Sequence, residues 1–144
     1  MSVRQLSVFA ENKQGSLYET TAILSDAGIN IRAFSVADTN RYGVVRMIVD
    51  DPRAAAFALS SEGKIVSVTE VVGVQISDSQ GGLAKLLGIV SGAGINVEYL
   101  YAFVSSVPNC ANVVLRVSDN EATEKILKDA GYSLLTDEIA RTKI

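Results

Sequence analysis

The chain is written twice. Gln14-Gly15-Ser16-Leu17 returns as Gln80-Gly81-Gly82-Leu83, and Ala27-Gly28-Ile29-Asn30 returns as Ala93-Gly94-Ile95-Asn96, each pair 66 positions apart. A shared offset with the same internal spacing, Gly15 to Asn30 and Gly81 to Asn96, marks one duplication rather than two coincidences. Further on the offset grows by two or three, because Asp51 answers to Asp119 and Gly63 to Gly131. The extra residues fall near Ser105-Ser106-Val107-Pro108-Asn109, a turn-rich stretch. Whatever one copy folds into, the other must fold into as well, with roughly 70 residues for each. The copies are assigned to residues 1–70 and 71–144.

Within the first copy Leu6, Val8 and Ala10 alternate with Gln5, Ser7 and Phe9, the period of a strand with one face on a core. Asn12-Lys13-Gln14-Gly15 supplies turn residues. A helix follows from Ser16 to Ala27, with Leu17, Thr21 and Leu24 at helical spacing and Gly28 as its stop. Ile31 to Asp38 and the alternating Val45, Met47 and Val49 read as hairpin strands around a turn at Asn40-Arg41-Tyr42-Gly43. Asp51 is a good N-cap, Pro52 suits the first helical position, and the helix ends near Gly63. Val66, Val68, Val72, Val74 and Ile76 keep one parity, long enough to finish one unit and begin the next without a flexible linker, so the copies are expected to be rigidly coupled.

The second copy repeats the order: strand Val71–Ile76, helix Leu83–Ala93, strands Val97–Ser105 and Asn112–Ser118, helix Asn120–Ala130 and strand Tyr132–Ala140. Twice β-α-β-β-α-β is the ferredoxin-like unit of the α+β class, an antiparallel sheet with both helices on one face. The expected helix stripes against the sheet are Leu83, Leu87 and Val90, and Ile126, Leu127 and Ala130. One such unit alone is marginal, since it buries only about 60% of the surface its unfolded chain exposes.

Composition removes most chemistry. With 48% apolar and 20% charged residues the chain is globular rather than disordered. Its 13 Lys+Arg against 16 Asp+Glu give no basic surplus for a phosphate backbone, so nucleic acid is not an expected partner. There is no His and one Cys, Cys110, which excludes an internal disulfide, a Cys/His zinc site and a Ser-His or Cys-His nucleophile pair. No paired carboxylates, phosphate-binding Gly-x-x-x-x-Gly-Lys or dinucleotide fingerprint appears, so neither a catalytic constellation nor a cofactor is expected. The start lacks a signal-type apolar run and nowhere do 18 apolar residues stand together, giving the expectation of a cytoplasmic protein with no membrane span. Tyr99, Tyr101 and Phe103 share a strand face and read as sheet packing. Cys110 reads as an incidental thiol, and Lys125, Lys128 and Asp129 as a solvated helix face.

The fold hosts unrelated functions, so the turns must decide. A metal-carrying version would need a Cys-x-x-Cys turn, and an RNA-binding version aromatics on the third strand, where this chain has Val44-Val45-Arg46-Met47-Ile48-Val49. Glu11-Asn12-Lys13-Gln14-Gly15-Ser16-Leu17 with Asp26-Ala27-Gly28-Ile29-Asn30-Ile31, and Asp78-Ser79-Gln80-Gly81-Gly82-Leu83 with Gly92-Ala93-Gly94-Ile95-Asn96-Val97, resemble the ACT domain. Where many ACT domains carry Pro before the first Gly, this chain has Gln14 and Gln80.

The resemblance implies two units side by side, their sheets joined into one eight-stranded sheet, and a regulatory protein of amino-acid metabolism that binds free amino acids. It implies ligand sites where the loop before the first helix of one copy faces the second strand of the other. One site would combine Asn12, Gln14, Gly15, Ser16 and Leu17 with Asn96, Val97 and Glu98. The other would combine Asp78, Gln80, Gly81, Gly82 and Leu83 with Asn30, Ile31 and Arg32. It further implies a possible metabolic enzyme partner, as for a regulatory subunit of acetolactate synthase, and a possible homo-oligomer; catalysis is not implied.

The chemistry of such a site is independent of the family. A helix start offers unpaired N–H groups and partial positive charge to a carboxylate, while Asn12 or Asp78 can accept from an ammonium. Ser16-Leu17-Tyr18-Glu19 reads as a capping box, which Gly82-Leu83-Ala84-Lys85 cannot form. The Asp78–Leu83 loop is therefore expected to hold its ligand more tightly.

Overall fold

The computed structural model describes residues 2–38 and 42–137. The chain forms two compact units, an N-terminal unit of Arg4–Thr69 and a C-terminal unit that runs from Glu70 onward and also takes in Ser2 and Val3. The elements are β1 (Val3–Glu11), α1 (Ser16–Asp26), β2 (Ile31–Asp38), β3 (Tyr42–Val49), α2 (Pro52–Ser61), β4 (Val66–Ser77), α3 (Gly82–Gly92), β5 (Val97–Val104), β6 (Cys110–Val117), α4 (Asn120–Asp129) and β7 (Ser133–Leu135). This is βαββαβ twice in the α+β class. Seven strands stand among the described residues instead of eight, because the 12-residue β4 closes the first repeat and opens the second.

In the N-terminal unit β3 lies between β2 and β1 and pairs antiparallel with both. The Phe9 N–H donates to the Ile65 carbonyl at 3.0 Å, bringing the approach to β4 alongside β1. Alternation decides which face is covered. Leu6, Val8 and Ala10 of β1 and Val45, Met47 and Val49 of β3 form one buried cluster with Leu24 of α1 and Ala55 and Leu59 of α2. In the C-terminal unit β4 pairs antiparallel with β6 and β7, and β6 with β5. There Val72, Val74 and Ile76, with Val113, Leu115 and Val117, pack on Leu86 and Val90 of α3 and Leu127 of α4.

The repeated Ala-Gly-Ile-Asn motif is a helix terminator. Gly28 takes φ 74° and Gly94 φ 75°, which only glycine adopts without strain. The Ile29 N–H reaches the Leu24 carbonyl at 2.9 Å and the Gly28 N–H that of Ser25 at 3.0 Å, the bond pair of a Schellman cap. Ile95 and Gly94 repeat it on Val90 and Ser91. Ile29 and Ile95 then rest on the two cores, which fixes where each chain leaves its helix. The late helices start on side chains instead: Asp51 accepts from the Ala54 N–H at 3.1 Å and Asp119 from that of Ala122 at 3.0 Å.

Several expectations need correction. Leu83 is exposed and Leu86 buried, so the inward stripe of α3 is Leu86 and Val90 with Leu87 partly packed on the core; in α4 it is Thr123, Glu124 and Leu127, with Ala130 exposed. In α1 the buried face is Ser16, Thr20 and Leu24, with Leu17 exposed. Each early helix is rotated by about one residue from the expected reading, because two neighbouring leucines or a Thr-Thr pair leave the phase open. Gln5, on the face of β1 expected to be polar and open, is fully buried. Tyr42 and Gly43 belong to β3, while residues 39–41 of the expected hairpin turn lie outside the described residues. The last strand stops at Leu135; of its expected remainder, residues 138–140 lie outside the described residues. The extra residues of the second copy fall in the β5–β6 turn, where Asn109 has φ 60°.

Candidate functional site

Both glycine bends start a helix in the same way. Gly15 at φ 85° precedes α1 and Gly81 at φ 81° precedes α3, and neither helix start receives a side-chain cap. The expected capping box of Ser16 and Glu19 does not form. An N-cap residue must lie outside helical φ and ψ, and Gly15 has taken that place, leaving Ser16 as the first residue inside the helix. Glu19 turns to Lys64 instead, with Nζ and Oε1 2.9 Å apart. The first intrahelical bonds run from the Glu19 N–H to Gly15 and from the Lys85 N–H to Gly81, both 2.9 Å. By helix geometry the amides of Leu17 and Tyr18, and of Leu83 and Ala84, have no carbonyl one turn back. Donor-rich starts are thus common to both copies, and capping does not distinguish them.

A pocket opens beside each bend. In the N-terminal unit a cavity of about 310 Å³ is lined by Phe9, Ala10, Glu11, Lys13, Ser16, Glu19 and Tyr42 with Gly63, Lys64 and Ile65 from beyond α2. In the C-terminal unit a cavity of about 430 Å³ is lined by Ile76, Ser77, Ser79, Gln80, Gly81, Gly82 and Lys85 with Ala130, Gly131 and Tyr132 from beyond α4. These are the same pocket twice: Ala10 corresponds to Ile76, Glu11 to Ser77, Lys13 to Ser79, Ser16 to Gly82, Gly63 to Gly131. Four exchanges alter its charge. The charged Glu11 and Lys13 have become Ser77 and Ser79. Glu19 is replaced by Lys85, and its partner Lys64 by Tyr132.

The N-terminal pocket therefore satisfies itself. Besides Lys64–Glu19 it holds the exposed pair Lys13–Glu11 at 3.2 Å. The hydrogen bond from Lys64, and then its charge, hold the Glu19 carboxyl below its ordinary range. A depressed carboxyl adds stability above its unfolded titration point, and that increment disappears as the pH falls through the folded one. Lys64→Ala is accordingly expected to raise the Glu19 midpoint in an NMR titration. Its small stability loss should be visible at neutral pH and absent in acid. The C-terminal pocket has the opposite character. No carboxylate lines it, and among the described residues no carboxylate lies within ion-pair distance of Lys85. The Ser77 and Ser79 hydroxyls share a hydrogen bond at 3.0 Å on its wall.

The expected site residues divide between these pockets and other duties. Gln80, Gly81 and Gly82 line the C-terminal pocket and Ser16 the N-terminal one. Asn12, Ser16 and Leu17 also meet in a smaller cleft of about 80 Å³ with Lys13, Val36 and Gly43. Asp78 and Leu83 are exposed but outside the pocket lining; the Asp78 N–H is bound to the Asn109 carbonyl at 2.8 Å. Gln14 is exposed. Asn30 and Asn96 use their backbones to close β2 and β5: Asn30 exchanges bonds with Asp50, and Asn96 with Ser118. Ile31 and Val97 pack on the two cores, Arg32 stands at the β2 bulge, and Glu98 pairs with Arg116 at 3.3 Å. Within one unit, the glycine bend and the start of the following strand are at opposite ends of an 11-residue helix, roughly 16 Å at 1.5 Å per residue. No single unit brings both halves of the expected site together.

Lys85 and Tyr132 escaped the sequence reading, as did Glu19 and Lys64 as pocket residues. The signal was present, since both positions change character between the copies, but Lys64 and Tyr132 align only after the offset has shifted to 68.

The chain is thus a βαββαβ unit written twice, with a glycine bend at the start of each leading helix. The sequence pattern of the family described as ACT domain pair matches residues 1–142, and the chain belongs to that family. It is 38% identical to protein BT0572 from Bacteroides thetaiotaomicron, whose crystal structure matches at TM-score 0.92 with 99% of this chain and 97% of that chain covered. The regulatory subunits of aspartate kinase from Thermus flavus and Thermus thermophilus share the fold at 16% identity, with TM-scores of 0.63 and 0.66. The matches cover 88% and 89% of this chain and 91% and 92% of those chains. No curated protein matches it. Among the described residues no helix is long and apolar enough to cross a membrane, and no group of three His, Cys, Asp or Glu is placed to hold a metal ion.

Proposed function

We propose that the chain is a non-catalytic regulatory protein that binds a free amino acid, with the ligand carboxylate received at the start of α3. The observation that carries this is the C-terminal pocket, where Lys85, open amides and Tyr132 meet without a carboxylate. In its twin the corresponding positions are spent on Glu19 and Lys64. A zwitterion needs donors for its carboxylate and an acceptor for its ammonium, and the exposed Asp78 and Gln80 side chains are the acceptors nearest in sequence. The pairing of each glycine bend with Asn96, Val97 and Glu98, or with Asn30, Ile31 and Arg32, of the other copy is part of the proposal.

The test is a thermal-shift screen against the twenty amino acids, followed by calorimetry on the best ligand. A ligand at 100 times its dissociation constant adds about 2.7 kcal/mol. Losing a charge-assisted hydrogen bond costs about 1.5 kcal/mol or more, so Lys85→Ala is expected to weaken binding at least tenfold and Lys64→Ala by less than about twofold. A melting temperature unmoved by every amino acid, or a larger loss at Lys64, ends this reading.

A second reading is favoured by the aspartate kinase regulatory subunits that share the fold: occupancy is passed to an enzyme of amino-acid metabolism, such as acetolactate synthase. A ligand can shift a partner's state only through different affinity for its two states. Co-purification of a catalytic chain whose activity responds to the same amino acid supports it.

A further inference from the structure

We propose that the outer face of α1 and α2 is a self-association surface, which takes the same face of a second copy of this chain. α2 buries Pro52, Ala55 and Leu59, and on its other side Phe57 stands 75% exposed. Beside Phe57 runs a groove of about 600 Å³ lined by Ile23 and Asp26 of α1, by Ala27 at its C-cap and by Ala54 and Ala58 of α2, with Glu62 at its end. The duplication supplies an internal reference for what this position needs in a solvated helix. Phe57 corresponds to Lys125 in α4, and Ser61 to Asp129. The fold therefore accepts charge here, and the N-terminal unit carries a phenyl ring in its place.

A two-fold contact must be self-complementary, and this patch holds both a projecting ring and a trough of small residues that can receive one. The charges favour one orientation. Arg53 lies four residues before Phe57 and Glu62 five after it, both exposed, and neither is in an ion pair among the described residues. If two α2 helices cross antiparallel about Phe57, Arg53 of each copy meets Glu62 of the second copy, whereas a parallel crossing sets like charge against like. Two buried phenylalanines remove about 300–500 Å² from water. Even with the groove walls added, the contact stays at the small end of specific interfaces, below about 1,200 Å². The expected dimer is accordingly weak and reversible.

Sedimentation velocity on the full chain over a wide concentration range tests this. The weight-average mass should climb from 15.3 kDa toward twice that value as concentration rises. Phe57→Lys, the residue of the twin helix, should weaken association at least tenfold with an unchanged circular dichroism spectrum. Arg53→Glu should weaken it as well, and the added Glu62→Arg should restore it. A wild-type chain monomeric at every concentration, a dimer indifferent to Phe57→Lys, or a double charge reversal that fails to restore association overturns the proposal. The ligand reading is independent of it, because Phe57 lies outside both glycine-bend pockets.

Discussion

Leu127→Ala is expected to destabilise the protein by about 2–5 kcal/mol, the range for truncating a fully buried leucine that leaves a cavity. Leu127 is wholly inaccessible and is the one α4 side chain in the buried cluster of the C-terminal unit, among Leu86, Val90 and the inward valines of β4 and β6. Its backbone carbonyl also takes the Tyr132 N–H at 3.0 Å, so relaxation around the lost isobutyl group is constrained by the cap that ends the helix. Urea unfolding should show a lower midpoint. Leu83→Ala, at an exposed position of α3, serves as the control and should change stability by about 0.5 kcal/mol or less. An equal loss at Leu83 would mean that the helix face has been assigned wrongly.

Gly82→Ala is the second large effect expected. A Cβ there would lie well inside van der Waals contact with the Ser77 carbonyl oxygen, which is backbone and cannot rotate away. Either α3 or the end of β4 must shift, at about 1–3 kcal/mol for an overpacked site. The twin position makes the comparison internal. Ser16 already carries a Cβ at the start of α1, so Ser16→Ala should cost less than about 1 kcal/mol. Displacing the first turn of α3 also moves the amides beside Lys85, so binding of any ligand found in the screen should fall together with stability. Calorimetry and thermal melts on the two variants separate these readouts. A neutral Gly82→Ala would show that the end of β4 yields more readily than close packing allows.

The duplication and the element order were legible because they rest on spacing. A strand alternates at two, a helix ends where glycine takes a positive φ, and Asp51-Pro52 marks a helix start by local chemistry alone; the structure follows each of these. Helix phase was less legible, since Leu86 and Leu87 are equally apolar and only packing selects Leu86. The capping box failed for a related reason. Ser-x-x-Glu is a pattern of side chains, but Gly15 had already fixed the backbone conformation, and Lys64, 45 residues away, competed for Glu19. Such long-range competition has no local trace. The glycine bends were found from sequence as candidates for binding, whereas Lys64 and Tyr132, which help to distinguish their pockets, come from beyond the far ends of α2 and α4. Asn30 and Asn96 recur as candidate ligand groups, and both copies also use their backbones for a helix exit and a strand closure.

Val3 is almost completely buried and belongs to the C-terminal unit, close enough to Gly73 that a Cβ there would lie 3.0 Å from its Cγ2. The Ser2 hydroxyl donates to the Glu124 carboxylate at 2.9 Å. Ser2 and Val3 are thus finishing pieces for a half whose remaining residues come almost 70 positions later. Cutting the chain at residue 70 would strip the later half of its plug.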